Sequence, residues 1–313
     1  MRKTYKHKEN AMRWQGKRKS DNIEDRRNER VSGAGGFGNS NGILRLLPMA
    51  VKFLGFKGTA VVVICLGAYG LFSGNLGNML AVLGLQQGTS ISTSKEPIQE
   101  TAAEKELVDF VAVVLADTEA TWSTLFQQQG GTYEEPRLVL FRDAVKSACG
   151  MAGSATGPFY CPGDQQVYID LGFFDQLKNR FNAPGDFAQA YVVAHEIGHH
   201  VQKLLGTSDK VHAARKTRSK VEGNKLSVLQ ELQADCYAGV WAYHAGNQDL
   251  LEKGDLEEGL AAASAIGDDT LQKQAKGYVS PDSFTHGSSA QRVQWFKIGL
   301  ASGRMDSCNT LPQ

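Results

Sequence analysis

The 313-residue sequence contains no Cys-x-x-Cys pair, no internal repeat, and no charged side chain between Gly58 and Ser94. The first absence removes a paired-thiolate zinc ribbon, and the second removes repeat architectures. Overall charge is also missing: 34 Lys and Arg stand against 33 Asp and Glu, which argues against a nucleic-acid binder. A hydrophobic share of 42% and a charged share of 21% exclude a disordered or fibrous chain as a whole. The length suffices for one large domain or two small ones, each with a real core.

The charge is unevenly spread. Residues 1–57 carry a net +9 and the remainder −8. Between these halves lies the charge-free stretch, most apolar from Thr59 to Phe72. As a helix from Gly58 to Gly74 it would span about 25 Å at ~1.5 Å per residue, close to a hydrocarbon core. The run Met79–Leu85 is too short for a second crossing. With positive flanks inside, the pattern predicts a single transmembrane helix and juxtamembrane segment over residues 58–85. Residues 1–57 are then a basic, largely disordered cytoplasmic arm, and residues 95–313 an outer domain. A cleaved signal peptide fits poorly, because about 57 residues precede the apolar run. Contact between the basic arm and anionic lipid is expected, and nucleic acid is not.

Cys65 falls in the apolar run, whereas Cys149, Cys161, Cys236 and Cys308 all fall in the outer domain, where disulfides persist. Cys149 and Cys161 would close a short loop and leave Cys236 with Cys308. Four cysteines allow three pairings, so the connectivity stays open.

The outer domain reads as strands followed by helices, an α+β domain with a small sheet. Leu107, Val108, Val111, Val114, Leu115 and Trp122 recur at helical spacing within residues 100–129. Strands are expected at Pro136–Phe141 and Gln166–Leu171, and helices from Asp186 almost to the end. Thr207–Lys225 is polar and basic and reads as a loop.

Chemistry concentrates in the helix Ala190–Gly206, opened by a capping pair of Asp186 and Gln189 and stopped at Gly206. His195 and His199 lie at i and i+4, on one face, so both imidazoles can reach one ion. Glu196 is rotated by about 100° from His195, able to approach a water at that ion without becoming a ligand. Placing two His and a Glu in an apolar helix is costly unless something satisfies them. Zinc used for catalysis needs a third protein ligand and an open fourth position. Glu231, on a helix expected to open with a capping box of Ser227 and Gln230, supplies it. Asp235, one turn on, can accept the second N–H of a ligand imidazole and fix its tautomer. Ala234 and Ala238 are small enough to let the two helices approach. His200 points away from the ligand face, His212 lies in the polar stretch, and Gln202 and Leu205 occupy offsets where a metzincin carries Gly and His. His286, before the helix Ala290–Leu300, is either a donor to a developing oxyanion or a helix-start residue.

Several stretches together resemble the bacterial neutral zinc metallopeptidase family of membrane-anchored single-pass proteins. These are Met12–Gly16, Gly157–Pro162, Val167–Asp170, His195–Gln202, Glu231–Gly239, Ala263–Asp269, Phe284–Ser289 and Gln291–Phe296. The resemblance implies a zincin-like, gluzincin-type domain. One Zn2+ would be held by His195, His199 and Glu231, with Glu196 as catalytic base and His286 in the active site. It also implies a peptide or protein substrate and residence at the bacterial inner membrane, with the catalytic domain periplasmic. Eleven residues precede Met12, where such proteins are expected to begin, so Met12 is a candidate start.

The favoured activity is Glu-assisted hydrolysis of peptide bonds by water on zinc. The absence of a Gly-x-Met-Glu-Asn motif favours an endopeptidase over an aminopeptidase. Residues 167–171 are expected to run above the site and pair with an extended substrate. The rivals are a non-catalytic zinc-binding envelope scaffold, which has no use for Glu196, and a zinc amidase acting on cell-wall peptides.

Overall fold

The computed structural model describes residues 11–32, 92–95 and 97–311. Residues 11–29 and 97–311 form one compact unit, and residues 30–95 belong to a second. In the second unit the described residues pair β2 (Glu29–Ser32) with β3 (Ser92–Lys95).

The first unit is mostly helical with a small sheet, an α+β architecture. Its four-stranded sheet has the order β1-β4-β8-β7, where β1 is Ile23–Asp25, β4 Arg137–Phe141, β7 Phe159–Cys161 and β8 Gln166–Asp170. Strands β1, β4 and β8 run parallel, and β7 closes the sheet antiparallel to β8. The alternation of side chains across a strand divides the core. Leu138, Leu140, Val167 and Ile169 face the helices, while Val139, Phe141 and Tyr168 pack a smaller cluster on the opposite face with Val145. A hairpin of β5 (Ala144–Ser147) and β6 (Gly150–Gly153) supplies part of that cluster.

Eight helices are described: α1 (Ala102–Gln128), α2 (Gly172–Asn179), α3 (Asp186–Leu204), α4 (Thr207–Lys216), α5 (Lys220–Asn247), α6 (Asp255–Ala265), α7 (Asp268–Lys276) and α8 (Ser289–Ser302). Small residues set the crossings that matter. A Cβ on Gly198 of α3 would lie 3.0–3.3 Å from Ala234 of α5. Gly239 of α5 and Gly299 of α8 meet backbone to backbone, since a Cβ on Gly239 would sit 2.0 Å from the Phe296 oxygen. Disulfides join Cys149 to Cys161 and Cys236 to Cys308, with Cα separations of 5.8 and 5.5 Å. The second ties the carboxyl-terminal segment to α5.

Three local expectations are corrected. Thr207–Lys225 is mostly helical: Thr207–Lys216 form α4, and after a short turn the first residues of α5 follow from Lys220. The box that opens α5 is Ser219 with Glu222, and Ser227 lies inside the helix, donating to the Gly223 carbonyl. At α3, Asp186 makes no cap for its own helix; Glu258 reaches from α6 to accept the Phe187 N–H at 3.1 Å.

A larger correction concerns the basic arm. Residues 11–29 are part of the domain, not a disordered tail. Met12 is fully buried, and Trp14 meets Phe110 edge-on at 5.6 Å. β1 pairs with β4 in register from Ile23↔Leu138 to Asp25↔Leu140. The cause is legible in α1, whose buried Glu119 would be an uncompensated charge on an apolar helix. Arg18 and Asn22 donate to it at 2.8 and 2.9 Å, and Ser20 adds a third bond. Arg27, also buried, is enclosed by Asp25, Glu100 and Glu104. Among the described residues no helix is long and apolar enough to cross a membrane. The expected anchor at residues 58–85 lies outside the described residues.

Candidate metal centre

α3 and α5 cross at Gly198 and Ala234, and this contact sets His195 and His199 against Glu231. His195 Nε2 lies 3.2 Å from one Glu231 oxygen, and His199 Nε2 lies 3.4 Å from the other. The imidazole planes are nearly perpendicular, at 87°, with centroids 4.8 Å apart. All three side chains thus present ligand atoms within 4.8 Å of one another.

The atoms facing away from this point are held. His195 Nδ1 lies 2.9 Å from Asp235 Oδ1. Arg292, from α8, donates to both Asp235 oxygens at 2.9 Å and to the Tyr191 hydroxyl at 3.1 Å, while Tyr191 donates to Asp235 at 2.5 Å. With the carboxylate accepting from Nδ1–H, Nε2 is left with a lone pair for an ion. His199 Nδ1 is 2.9 Å from the Gln202 side-chain oxygen. Gln202 in turn donates to the Gln230 carbonyl at 2.7 Å and to Gln233 at 3.1 Å.

Charge follows the geometry. Burial alone would depress His195, but Asp235 and Glu231 outweigh it and lift its pKa to about 10. His199 is raised by Glu231 against the same burial. Burial opposes ionisation of Glu231 and Asp235, yet the two imidazoles hold Glu231 well below the usual carboxylate range, and Arg292 with His195 brings Asp235 to about 2.

The donor set fits a divalent cation: the two imidazole nitrogens lie 3.2 and 3.4 Å from the two different oxygens of one carboxylate, and the ligand atoms all fall within 4.8 Å of one another. Two imidazole nitrogens and a carboxylate form a zinc ligand set that leaves a position open.

Glu196 is buried beside His195, also on α3. His286 lies in the loop before α8, half exposed. Asp268 organises that loop: one oxygen accepts the backbone N–H groups of Thr285, His286 and Gly287 at 2.7, 2.6 and 3.1 Å, and the other lies 3.2 Å from His286 Nδ1. Contact with Asp268 raises the His286 pKa. His200 is a core residue, with Nδ1 3.1 Å from the Tyr160 hydroxyl and Nε2 2.6 Å from the Glu134 carbonyl. His212 is exposed on α4 and lines a cleft of about 480 Å³ that also includes Tyr160, His199, Lys203 and Glu231.

The chain matches, over residues 12–311, the family described as "Putative neutral zinc metallopeptidase". It belongs to that family. It is 47% identical over 302 residues to "Uncharacterized protein YpfJ" of Escherichia coli K12, covering 96% of this chain and 98% of the relative. It is 43% identical over 204 residues to "Uncharacterized protein Rv2575" of Mycobacterium tuberculosis, covering 61% of this chain and 66% of the relative. No solved structure matches the chain.

Two residues in this network escaped the sequence reading. Arg292 is a buried arginine in an apolar helix, the same kind of signal that marked His195. Gln202 is the residue that rules out the metzincin spacing, and at i+3 from His199 it is placed to orient that ring. One further expectation is corrected: β8 lies between β4 and β7, so residues 167–171 have no free edge for a substrate. Among the described strands, β7 is the free edge on that side, and its Tyr160 faces the cleft.

Proposed function

We propose that the protein is a zinc-dependent endopeptidase with a zincin-like domain, holding one Zn2+ through His195, His199 and Glu231. The observation that carries this reading is the convergence of both Nε2 atoms on the Glu231 carboxylate, at 3.2 and 3.4 Å. Zinc there supplies Lewis acidity toward a peptide carbonyl and brings the pKa of water to about 7.

The chain's own side chains do the remaining work. Asp235 and Gln202 hold the ligand rings in one orientation and tautomer. Glu196 takes a proton from the attacking water and delivers it to the departing amine nitrogen. His286, fixed through Nδ1 by Asp268, offers Nε2–H to the carbonyl oxygen as negative charge develops. An extended peptide lies along the edge of β7 beside Tyr160, with backbone bonds giving affinity without strict sequence demand. The two disulfides favour an oxidising, extracytoplasmic setting. Residues 58–85 supply contact with the inner membrane, with residues 11–29 and the catalytic domain on the same face.

Incubation of the purified protein with a peptide library, with and without chelator, tests the activity. Chelator-sensitive internal cleavage that Glu196→Gln abolishes without loss of zinc is the expected result. Full cleavage by Glu196→Gln would remove the proposal.

A further inference from the structure

Helix α3 carries ionisable groups at three levels. At its amino end Asp186 meets Asp255 and Glu258 of α6, three carboxylates with oxygens within 4.8 Å of one another. At its centre stand His195 and His199. One turn beyond His199, at i+4, Lys203 lies on the wall of the cleft that opens from the metal centre.

That cleft, of about 480 Å³, is uneven in charge. One wall is uncharged, formed by Tyr160 of β7 with Pro162 and Gly163 just after that strand. The other belongs to α4, whose Ser208, His212 and Arg215 recur at i, i+4 and i+7 and so share a face. Two carboxylates line the cleft, and both are engaged. Asp209 accepts from Lys203 Nζ at 2.8 and 2.9 Å, and Glu231 lies against the two imidazoles. Arg215 is exposed and has no anionic partner among the described residues. The undescribed stretch 33–91 contains no Asp or Glu that could supply one.

Solvation alone would account for a single exposed guanidinium. It does not account for the chain around it. From Thr207 to Lys225 six Lys and Arg side chains stand against Asp209 and Glu222, in a chain whose total charge is nearly balanced. Glu222 is used in the cap of α5, accepting the Ser219 N–H and hydroxyl at 3.1 and 2.9 Å. The helix that walls the cleft is thus a concentration of positive charge beside the metal centre.

We propose that this cleft is a selectivity subsite for the carboxylate of a substrate Asp or Glu side chain close to the bond that is cut. The inference rests on the peptidase reading and names the class of peptide acted on. Arg215 presents a planar fork that matches a carboxylate, and His212 adds a donor one turn earlier on the same face. Lys203 is already satisfied by Asp209, so it shapes the wall without competing for the substrate. An extended peptide rises ~3.3 Å per residue. Because the cleft includes the ligands His199 and Glu231, the acidic residue falls within about two positions of the scissile bond. A Lys or Arg at that position meets like charge from Arg215 and is rejected.

A positional scan tests the proposal. Glu, Gln or Lys is placed in turn at each position around a cut in a peptide blocked at both ends, and kcat/KM is read with the zinc-loaded full chain at about 0.15 M salt. At one position Glu should exceed Gln by about tenfold, with Lys below both. Arg215→Glu should reverse that order so that Lys outruns Glu, a gain that misfolding cannot produce. His212→Ala should narrow the ratio of Glu to Gln. Lys216→Glu makes the same charge change on α4 outside the cleft and should retain most of the ratio. Equal rates for Glu and Gln at every position, or the wild-type order in Arg215→Glu, overturn the subsite and leave the peptidase reading standing. A preference for a free terminal carboxylate over an internal Glu also overturns it. If no peptide is cut, the peptidase reading fails, and fluorescence anisotropy of the same peptides on the zinc-loaded chain decides the subsite. Tighter binding of the Glu peptide that Arg215→Glu reverses supports it, and equal binding of the Glu and Gln peptides overturns it.

Discussion

The two clusters on α3 look alike by proximity and differ in their bookkeeping. At the centre of the helix, two imidazoles and Glu231 meet with every outward-facing atom of the rings held by Asp235 or Gln202. At its amino end, three carboxylates of one sign meet with two oxygens unsatisfied. The first set is complementary in charge, with ligand atoms converging on one point. Among the described residues no ion pair joins the second. Closeness of ionisable groups therefore does not identify a site; the atoms left over do.

Perturbing the first cluster should give the largest effects. Glu196→Gln is expected to lower kcat by about 10²–10⁴-fold with zinc content unchanged, read by peptide hydrolysis alongside elemental analysis. Gly239→Ala forces a methyl group into the Phe296 carbonyl and should destabilise the α5–α8 crossing by about 1–3 kcal/mol or more. Chemical denaturation measures it, and an unchanged midpoint would contradict the backbone contact.

Asp235→Asn should weaken zinc binding or activity by about 10–100-fold. It should also leave the Arg292 guanidinium buried without its carboxylate. A competition titration with a chromogenic chelator reads the affinity. His286→Ala should reduce kcat more than it raises KM, because its hydrogen bond forms as charge develops. Steady-state kinetics with one peptide decides that; an effect confined to KM would assign His286 to binding alone.

Much of the site was legible because its chemistry sits on a single helical repeat. His195 and His199 at i and i+4, and Glu231 and Asp235 at i and i+4 on a partner helix, each declare a shared face. Ala234 signalled the close approach that Gly198 completes. What escaped lies in groups brought in from far along the chain. Arg292 reaches Asp235 across 57 positions, and nothing near Asp235 announces it. Asp268 organises His286 through backbone bonds that no side-chain pattern encodes. The basic residues Arg18 and Arg27 read as a solvated arm because their carboxylate partners, Glu119 and Glu104, lie about a hundred and about eighty positions away. Local charge density gave the wrong environment; long-range pairing decided it. The substrate edge was misassigned for a related reason, since β8, the last strand in the chain, inserts between β4 and β7 and leaves β7 at the edge.

The most direct test of the central claim is elemental analysis of the purified full chain beside Glu231→Ala, prepared identically. About one zinc per chain is expected in the wild type and a loss of most of it in Glu231→Ala, with both proteins folded by circular dichroism. Equal zinc in the two proteins, or none in a folded wild type, would contradict it.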